Sequence, residues 1–261
     1  MHSARDPAFD LQGRVAVITG SSRGIGRSIA EHLARAGARV VISSRKADAC
    51  EATAAAIVEA GGEAIAVPAN VSSRGQLDAL VDATLDRWGR IDVLVGNAAS
   101  NPYYGPLAGL TDDAFAKIMH NNVLANIHLV NRVAPQMAAR RDGAIILVSS
   151  IGGLRGDGLL GAYNISKAAD MQLVRNLAVE WGKHNIRVNA IAPGLIRTDF
   201  ARALWENPKL SARLEAAAPL GRIGEPDDIG GLAVLLSARA GAYITGQVLV
   251  ADGGLMAANV W

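Results

Sequence analysis

A tyrosine and a lysine four residues apart, Tyr163 and Lys167 in the segment AYNISKAA at 162–169, could do acid–base chemistry. On a helix, residues at this separation share one face, with their Cβ atoms about 5–6 Å apart. A neighbouring ammonium makes a phenol easier to deprotonate, because the positive charge favours the phenolate. The alternative is a core tyrosine beside a solvated lysine, and the rest of the chain must decide between these interpretations.

A glycine-rich segment, TGSSRGIG at 19–26, follows the first apolar run and opens the first helical stretch. Gly20 permits a tight turn, while Gly24 and Gly26 let the backbone approach a pyrophosphate and the helix pack closely on a sheet. The helix N-terminus then offers free N–H groups to the phosphates. The spacing is G-x-x-x-G-x-G, and no Gly-Lys-Ser/Thr closes it as in a P-loop. The segment predicts a dinucleotide site, with a purely structural turn as the alternative.

The end of the second apolar run, SSRK at 43–46, indicates which dinucleotide is bound. An acidic residue there would hydrogen-bond the adenosine ribose of NAD, but Ser44 is neutral and Arg45 follows it. Arg23 of the glycine turn could lie nearby, and two guanidinium groups suit a 2′-phosphate. We therefore expect NADP(H) in preference to NAD(H), unless Arg45 only caps a solvated helix start.

Short apolar runs alternate with helical stretches along the chain. Strands are expected at 14–19, 39–44, 63–69, 91–96, 143–149, 186–192 and 246–251, and helices at 25–37, 47–60, 74–88, 112–139, 162–183 and 226–238. Most of the runs are continuously apolar, which is typical of strands buried on both faces of a parallel sheet. The pattern predicts a single α/β domain over 1–261, a Rossmann fold with a doubly wound seven-stranded parallel sheet and helices on both faces.

Two segments depart from this alternation. Residues 1–10 are expected to be a flexible N-terminus. Residues 195–220 form a long insertion after the sixth strand, at the edge where such sheets bind ligands, and they are expected to form a lid over the substrate. The alternative is that Trp205 packs permanently against the body of the protein or a neighbouring subunit.

The composition excludes several classes of function. The chain has 261 residues, a net charge of +2 and no basic cluster larger than Arg140-Arg141, so we expect no nucleic-acid partner. Cys50 is the only cysteine and the five histidines lack ligand spacing, so no metal site is expected. No apolar run reaches the ~18–20 residues that span a bilayer, and the first ten residues lack the apolar segment of a signal peptide. The sequence therefore predicts a cytoplasmic protein that does not bind membranes.

The segments TGSSRGIG and YNISK together resemble the short-chain dehydrogenase/reductase superfamily, and the resemblance runs along almost the whole chain. Further segments agree in order: NAA at 97–99, NNV at 121–123, VSSIGG at 148–153, APG at 192–194 and YITGQVLVADGG at 243–254. Two positions depart from the family pattern. Ala99 replaces a glycine, and Asn70 stands where many relatives have an aspartate near the adenine ring.

The resemblance implies a catalytic set of Asn122, Ser150, Tyr163 and Lys167. Tyr163 would be the general acid or base, helped by the charge of Lys167, and Ser150 would orient the carbonyl oxygen. The family places this serine thirteen residues before the tyrosine, which selects Ser150 over Ser149. In the family, the lysine also binds the nicotinamide ribose, and Asn122 helps to hold a water that relays protons to it.

The resemblance also implies where the cofactor is bound. Pro193 and Gly194 would shape the nicotinamide site, and Ile196 and Thr198 would bind the carboxamide and phosphates. The full expected cofactor set is Gly20, Ser22, Arg23, Gly24, Ile25, Gly26, Ser44, Arg45, Asn70, Val71, Asn97, Ala98, Tyr163, Lys167, Pro193, Gly194, Ile196 and Thr198.

Two loops, 97–106 and 192–205, resemble the NADPH-dependent carbonyl and retinal reductases of the dehydrogenase/reductase member 4 group. This implies carbonyl substrates with an apolar body. The expected substrate residues are Ser150, Tyr103, Tyr104, Phe200, Leu204 and Trp205.

Two other functions compete with this one. A 3-oxoacyl-[acyl-carrier-protein] reductase shares nearly every motif and should have a basic surface at the site entrance, for which Arg132, Arg140 and Arg141 are candidates. A nucleotide-binding sensor that does no chemistry is the other alternative, and the complete Ser150–Tyr163–Lys167 set argues against it.

The predicted helices at 112–139 and 162–183 are rich in apolar residues. Resembling proteins pair these helices across two-fold axes, so a homotetramer is expected, with ordinary packing on the sheet as the alternative. The apolar residues concerned are Ile127, Leu129, Val130, Met171, Leu173 and Val174.

Overall fold

The computed structural model describes residues 6–258 and contains one seven-stranded parallel sheet. Its strands are β1 (Val15–Thr19), β2 (Arg39–Ser43), β3 (Glu63–Ala66), β4 (Val93–Gly96), β5 (Gly143–Val148), β6 (Ile186–Pro193) and β7 (Val248–Ala251). They lie in the order β3-β2-β1-β4-β5-β6-β7. This is the predicted doubly wound arrangement, which is therefore confirmed.

Helices cover both faces of the sheet. They are α1 (Gly24–Arg35), α2 (Ala47–Glu59), α3 (Arg74–Trp88), α4 (Asp112–Met119), α5 (Ala125–Arg140), α6 (Gly161–Trp181), α7 (Arg202–Trp205), α8 (Pro208–Ala217) and α9 (Asp227–Ser237). Alternate residues of β1 point to opposite faces, so Ile18 packs with α1 and α9 while Val17 packs with α3, α5 and α6. Within residues 6–258, none of the helices is both long and apolar enough to cross a bilayer.

The predicted strand at 63–69 is shorter in the structure, because β3 ends at Ala66. The chain still runs beside β2, since the amide of Val67 donates to Ile42 O (3.0 Å) and that of Ala69 to Ser44 O (3.0 Å). Pro68 lies between them and has no N–H to donate, so the regular ladder stops there. This segment forms one wall of the pocket described below.

The predicted continuous helix at 112–139 is wrong, because a π-helix over His120–Leu124 separates α4 from α5. The amide of Ala125 donates to the carbonyl of His120, five residues earlier. A π-turn adds one residue to a helical turn without a change in composition, so the apolar pattern gave no sign of it. This irregular turn carries Asn122.

The insertion after β6 contains a 3₁₀-turn (Asp199–Ala201), α7 and α8. The side chain of Asn207 accepts hydrogen bonds from the amides of Lys209 and Leu210 and so caps α8. At the other end of the chain, Ala8 O accepts a hydrogen bond from Ala240 N (2.8 Å). Of the expected flexible N-terminus, residues 1–5 lie outside the described residues.

The strand order reverses between β1 and β4, and this determines where a ligand can bind. In doubly wound sheets the connections leave β1 and its neighbour in opposite directions at this point, so a crevice opens beyond the carboxyl ends of the strands. The glycine turn follows β1, Asn97 follows β4, Ser150 follows β5, and residues 194–198 follow β6. The predicted site residues thus converge on one edge of the sheet.

Candidate active site

The glycine turn is closely packed against the loop after β4. Gly20 has a φ of +66°, and a Cβ there would lie 2.8 Å from Asn97 Nδ2. That amide nitrogen donates to Thr19 O (2.9 Å) and Gly20 O (3.1 Å). Thr19 Oγ1 in turn accepts from the amides of Asn97 (3.0 Å) and Ala98 (3.1 Å). Asn97 therefore fixes the turn that opens α1, and Thr19, which the sequence analysis did not select, fixes Asn97 and Ala98.

Beside this turn is a basic pocket of about 150 Å³. Arg23, Arg45 and Lys46 bring three positive charges to it, and none of the acidic side chains within residues 6–258 lines it. Its complete lining is Gly20, Ser22, Arg23, Ser44, Arg45, Lys46, Ala69, Val71 and Ala98. The pocket fits the adenosine end of a dinucleotide, because small and apolar residues accept an adenine ring while Arg and Lys bind phosphate.

Not every predicted cofactor residue faces this pocket. The Asn70 side-chain oxygen accepts a hydrogen bond from the amide of Ser72 (3.1 Å), so it is engaged in its own turn. Ile25 packs against the apolar core of the sheet. Arg23 also donates to Asp199 Oδ2 (3.1 Å), so the pocket's own arginine is paired with the insertion after β6.

The predicted catalytic pair lies on α6. Lys167 is almost completely buried, with 2% of its surface exposed, and its Nζ lies 5.8 Å from the centre of the Tyr163 ring. The ammonium donates to Val148 O (2.8 Å) and to Asp170 Oδ2 (3.1 Å). These contacts hold the positive charge behind the phenol, at the end of β5.

Ser149 and Ser150 have different partners. Ser149 Oγ donates to Lys167 O (2.7 Å) and so ties β5 to α6. Ser150 begins a 3₁₀-turn, where its Oγ accepts from the amide of Gly152 (3.0 Å) and also interacts with Tyr163. Only Ser150 therefore presents its hydroxyl to the tyrosine, which is the choice that the spacing indicates.

Burial is the main influence on the pKa of Tyr163, and it raises that pKa above the usual value for a phenol. The positive charge of Lys167 and the hydrogen bond with Ser150 lower it, while the Asp170 carboxylate raises it. The pKa of Lys167 is also raised, since the charges of Asp170 and Tyr163 outweigh the effect of its burial. The pair is thus a neutral phenol beside an ammonium at neutral pH.

Asn122 uses its whole side chain to position neighbouring segments. Its Oδ1 accepts from Ser100 N (2.8 Å), and its Nδ2 donates to Ser100 O (3.1 Å) and Ser166 Oγ (3.0 Å). Its backbone carbonyl accepts from Asn126 Nδ2 (2.7 Å). Asn122 thereby joins the loop after β4 to α6, and its role toward a water molecule stays a prediction.

The residues after β6 lie across the glycine turn. A Cβ at Gly194 would lie 2.8 Å from Asp252, so the chain passes closely there. Thr198 Cγ2 would lie 3.1 Å from a Cβ at Gly24, which brings Thr198 beside the turn. Pro193 ends β6, and Ile196 is buried in the apolar core of the sheet.

The predicted substrate residues are only partly brought together. The Phe200 ring lies 6.0 Å from that of Tyr163, and 59% of the Phe200 surface is exposed. Trp205 Nε1 donates to Thr198 O (2.8 Å), and its ring lies 5.4 Å below the guanidinium of Arg197. Tyr103 donates to Pro106 O (2.7 Å) within its own loop. Tyr104 is exposed, and Leu204 is half-buried.

Comparison with known proteins identifies the family. The family model described as Enoyl-(Acyl carrier protein) reductase matches residues 20–256. Dehydrogenase/reductase SDR family member 4 of Sus scrofa is 38% identical over 244 residues, which are 94% of this chain and 88% of the relative. The chain belongs to the short-chain dehydrogenase/reductase superfamily. It is therefore an oxidoreductase of this superfamily.

Two solved structures of other short-chain dehydrogenases/reductases have the same fold. A gluconate 5-dehydrogenase from Burkholderia cenocepacia J2315, in complex with NADP and tartrate, is 33% identical with a TM-score of 0.92, covering 97% of this chain and 99% of that one. A 7 alpha-hydroxysteroid dehydrogenase, complexed with NADH and 7-oxo glycochenodeoxycholic acid, is 35% identical with a TM-score of 0.92, covering 97% and 98%. One relative holds NADP and the other NADH, so they support a dinucleotide cofactor without selecting one.

Besides Thr19, the sequence analysis missed three residues of this short-chain dehydrogenase/reductase site. Lys46 directly follows Arg45, so a second basic residue beside a predicted phosphate-binding residue was a usable signal for the basic pocket. Asp170 is an acidic residue one helical turn after Lys167, on a face that is otherwise buried. Asn126 carries no such signal, because its contacts depend on the π-helix.

Proposed function

We propose that this short-chain dehydrogenase/reductase transfers a hydride between NADP(H) and a carbonyl compound or secondary alcohol with an apolar body. The observation that carries the proposal is the buried ammonium of Lys167, 5.8 Å from the Tyr163 ring, with Ser150 and the glycine turn at the same sheet edge. This geometry suits proton transfer to an oxygen atom at a site built for a dinucleotide.

Tyr163 is the proton donor in the reducing direction. Because its pKa is raised, the phenol keeps its proton at neutral pH and gives it to the oxygen of the carbonyl being reduced. Ser150 hydrogen-bonds the same oxygen and orients it. When bound, the nicotinamide cofactor supplies the hydride or accepts it. In the oxidising direction Tyr163 must first lose its proton, so alcohol oxidation is expected to rise toward alkaline pH.

The preference for NADP(H) over NAD(H) rests on the basic pocket. Arg23, Arg45 and Lys46 converge there, and the described part of the chain adds no acidic side chain to the lining. A 2′-phosphate carries the negative charge that these groups would neutralise, whereas a ribose hydroxyl does not. Arg45 and Lys46 are exposed at the pocket and available for such a ligand.

The apolar substrate body is supported by Phe200. An exposed aromatic ring beside the proton donor offers a surface for an apolar group next to the reacting carbonyl. The relatives' names include a bile-acid derivative and gluconate, so the substrate panel must contain both apolar and hydroxylated compounds.

A 3-oxoacyl-[acyl-carrier-protein] reductase remains the second candidate, because the matching family model is described by an acyl-carrier-protein reaction. The basic surface expected for it has little support. Arg140 donates to Ile91 O (2.7 Å), at the opposite edge of the sheet from Tyr163, and Arg132 is paired with Asp78 and Asp82 of α3. The expected cytoplasmic location stays a prediction.

The test is a panel of ketones, aldehydes, alcohols, gluconate and 3-oxoacyl thioesters, read by NADPH absorbance. Tyr163→Phe should lower kcat at least ~100-fold, the scale of acid–base catalysis, while NADPH still binds. Tyr243→Phe, which removes the hydroxyl of a fully exposed tyrosine, is the matched control and should keep wild-type turnover. Near-normal turnover by Tyr163→Phe would contradict the mechanism, and absence of turnover with every compound would favour a sensor.

A further inference from the structure

A second charged residue is buried behind the catalytic pair. Asp170 is completely inaccessible to solvent, and it lies one helical turn after Lys167 on α6. Carboxylates are almost never fully buried unless they are paired, because removing the charge from water is costly. The proton-transfer mechanism proposed above does not require this residue, so its burial calls for a separate explanation.

Both carboxylate oxygens of Asp170 accept a hydrogen bond. Oδ2 accepts from Lys167 Nζ (3.1 Å), and Oδ1 accepts from Asn126 Nδ2 (3.2 Å). The same Asn126 nitrogen donates to the backbone carbonyl of Asn122 (2.7 Å), in the π-helix. One carboxylate therefore connects the lysine on α6 to the asparagine of the predicted catalytic set.

The ammonium is held in one place by this arrangement. Lys167 Nζ donates to Asp170 and to Val148 O, which leaves one of its three N–H donors for other partners. A lysine side chain has four rotatable bonds, and two fixed acceptors remove most of that freedom. The remaining donor is on the nitrogen that lies 5.8 Å from the Tyr163 ring.

The electrostatic environment of Asp170 is simple. Lys167 and Tyr163, both on α6, are the titratable groups that face it, while α5 contributes the neutral amide of Asn126 and β5 the carbonyl of Val148 that bonds the lysine. A negative charge at this position attracts the ammonium and opposes a negative charge on the phenol. The carboxylate therefore favours the charged form of Lys167 and disfavours the charged form of Tyr163.

We propose that Asp170 is a positioning residue for proton transfer, which fixes the Lys167 ammonium and offsets part of its charge, so that Tyr163 is kept as a proton donor. The inference rests on the proposed function of Tyr163. A lysine without this counter-charge would favour the phenolate more strongly. The carboxylate thus tunes the site toward carbonyl reduction at neutral pH.

The experiment measures the ionisation of Tyr163 directly. The sequence has four tyrosines, so the phenolate absorbance of the wild type minus that of Tyr163→Phe isolates Tyr163 during an alkaline titration. The same difference is measured in the Asp170→Asn background, which keeps a hydrogen-bond acceptor but removes the charge. We expect the Tyr163 midpoint to fall by about one pH unit, since removing a nearby like charge favours the phenolate.

Two further variants control for size and for distant charge. Asp170→Glu retains the carboxylate and should return the midpoint to within a few tenths of the wild-type value. Glu180→Gln removes an exposed carboxylate from the far end of α6 and should leave the midpoint unchanged. If Asp170→Asn does not fold, as judged by thermal unfolding, the smaller neutral variant Asp170→Ser replaces it with the same expected shift.

An unmoved midpoint in a folded Asp170 variant would overturn the proposal, because a purely structural role changes stability without changing the ionisation of Tyr163. An upward shift would also overturn it, since it would mean that the carboxylate mainly keeps Lys167 charged. The pH profile of 1-phenylethanol oxidation by NADP⁺ should move in parallel with the midpoint. If no compound of the panel turns over, the proposed function fails, while the titration still decides the role of Asp170.

Discussion

Arg45 and Lys46 stand side by side at the basic pocket, and both are exposed. Exposed arginines and lysines are hydrated and mobile until a ligand organises them, so their contribution is made on binding rather than on folding. Arg23 differs, because an ion pair with Asp199 already holds it. The three residues therefore form a phosphate site that is only partly organised before the ligand arrives.

Arg45→Asp should change the cofactor preference from NADPH to NADH. Loss of one charge-assisted hydrogen bond costs about 1.5–3 kcal/mol, or roughly 10- to 150-fold in the affinity for NADPH, and the new carboxylate can accept from the ribose of NADH. Dissociation constants for both cofactors, measured by quenching of protein fluorescence, test this. The control is Arg239→Asp, the same charge change at an exposed position after α9. A wild type that prefers NADH would contradict the assignment.

The residues of the candidate site differ in how far the sequence predicts them. The resemblance to short-chain dehydrogenases/reductases selects Tyr163, Lys167 and Ser150, because their order and separation match the motif of that family. Asp170 was not, since a charged residue on a helix is usually solvated and only the packing of α5 against α6 buries this one. The partners of Asn122 could not be foreseen either, as they depend on a backbone irregularity.

At the scale of elements, the insertion after β6 combines internal anchors with one link to the cofactor pocket. Trp205 Nε1 donates a hydrogen bond to the carbonyl of Thr198, and the Trp205 ring stacks against the guanidinium of Arg197. All three residues belong to the insertion. Both ends of the insertion are joined to the body, because Arg197 pairs with Glu225 (3.0 Å) and Leu220 N donates to Gly253 O (3.0 Å). The contact that reaches the cofactor pocket is the ion pair of Asp199 with Arg23, whose two side chains are exposed.

Asp199→Asn should raise the affinity for NADPH a few-fold and leave that for NADH unchanged. In the wild type Asp199 and a 2′-phosphate compete for Arg23, and an exposed ion pair is weak, so the expected gain is below about fivefold. Glu206→Gln is the control, because Glu206 pairs with Arg202 on the same segment without touching Arg23. Equal changes for the two cofactors would show that the effect does not act through the 2′-phosphate.

Residues 195–215 should gain protection from hydrogen exchange when NADPH and a bulky ketone bind together. A segment that closes over the substrate excludes water from the hydride path, and its amides then exchange more slowly. The amides of α9, which lies outside the site, report changes that are not specific to closure. Strong and equal protection with and without ligands would mean that the segment is static.

The helices and strands were predictable wherever a continuous apolar run or a clear period was present. The break between α4 and α5 was not, because a π-turn leaves the apolar pattern almost intact. The start of α8 had a usable signal, Asn207 followed by Pro208, which is a favoured pair at a helix N-terminus. The prediction for this insertion was a lid, without a bounded helix.

For the whole molecule, the apolar residues of α5 and α6 differ in exposure, and Ile127 and Leu173 are half-buried. Leu129, Val130, Met171 and Val174 are buried in the single chain, so they belong to ordinary packing on the sheet and give no support for a tetramer. Other apolar residues on or beside these helices remain exposed, namely Leu124, Ile165 and Val179, the last with 85% of its surface accessible. The prediction of a tetramer therefore depends on whether another subunit covers these exposed residues.

The protein is expected to sediment as a tetramer at micromolar concentration, and Val179→Glu should shift it toward smaller species. A charge in an apolar interface must be desolvated without a partner, which disfavours association. Val58→Glu, on the exposed side of α2, is the control and should not change the sedimentation coefficient. Sedimentation of the wild type only as a monomer would contradict the prediction.

The π-helix at His120–Leu124 makes the number of residues in this region as important as their identity. Deleting Val123 would remove the extra residue of the π-turn, so α4 and α5 could join as one regular helix and keep their buried faces, including that of Ile118. The backbone around Asn122 would change, and its side chain would lose the present hydrogen bonds with Ser100. A single-residue deletion here should therefore spare the fold and cost the positioning of Asn122, so the extra residue is expected to be retained for the site and not for stability.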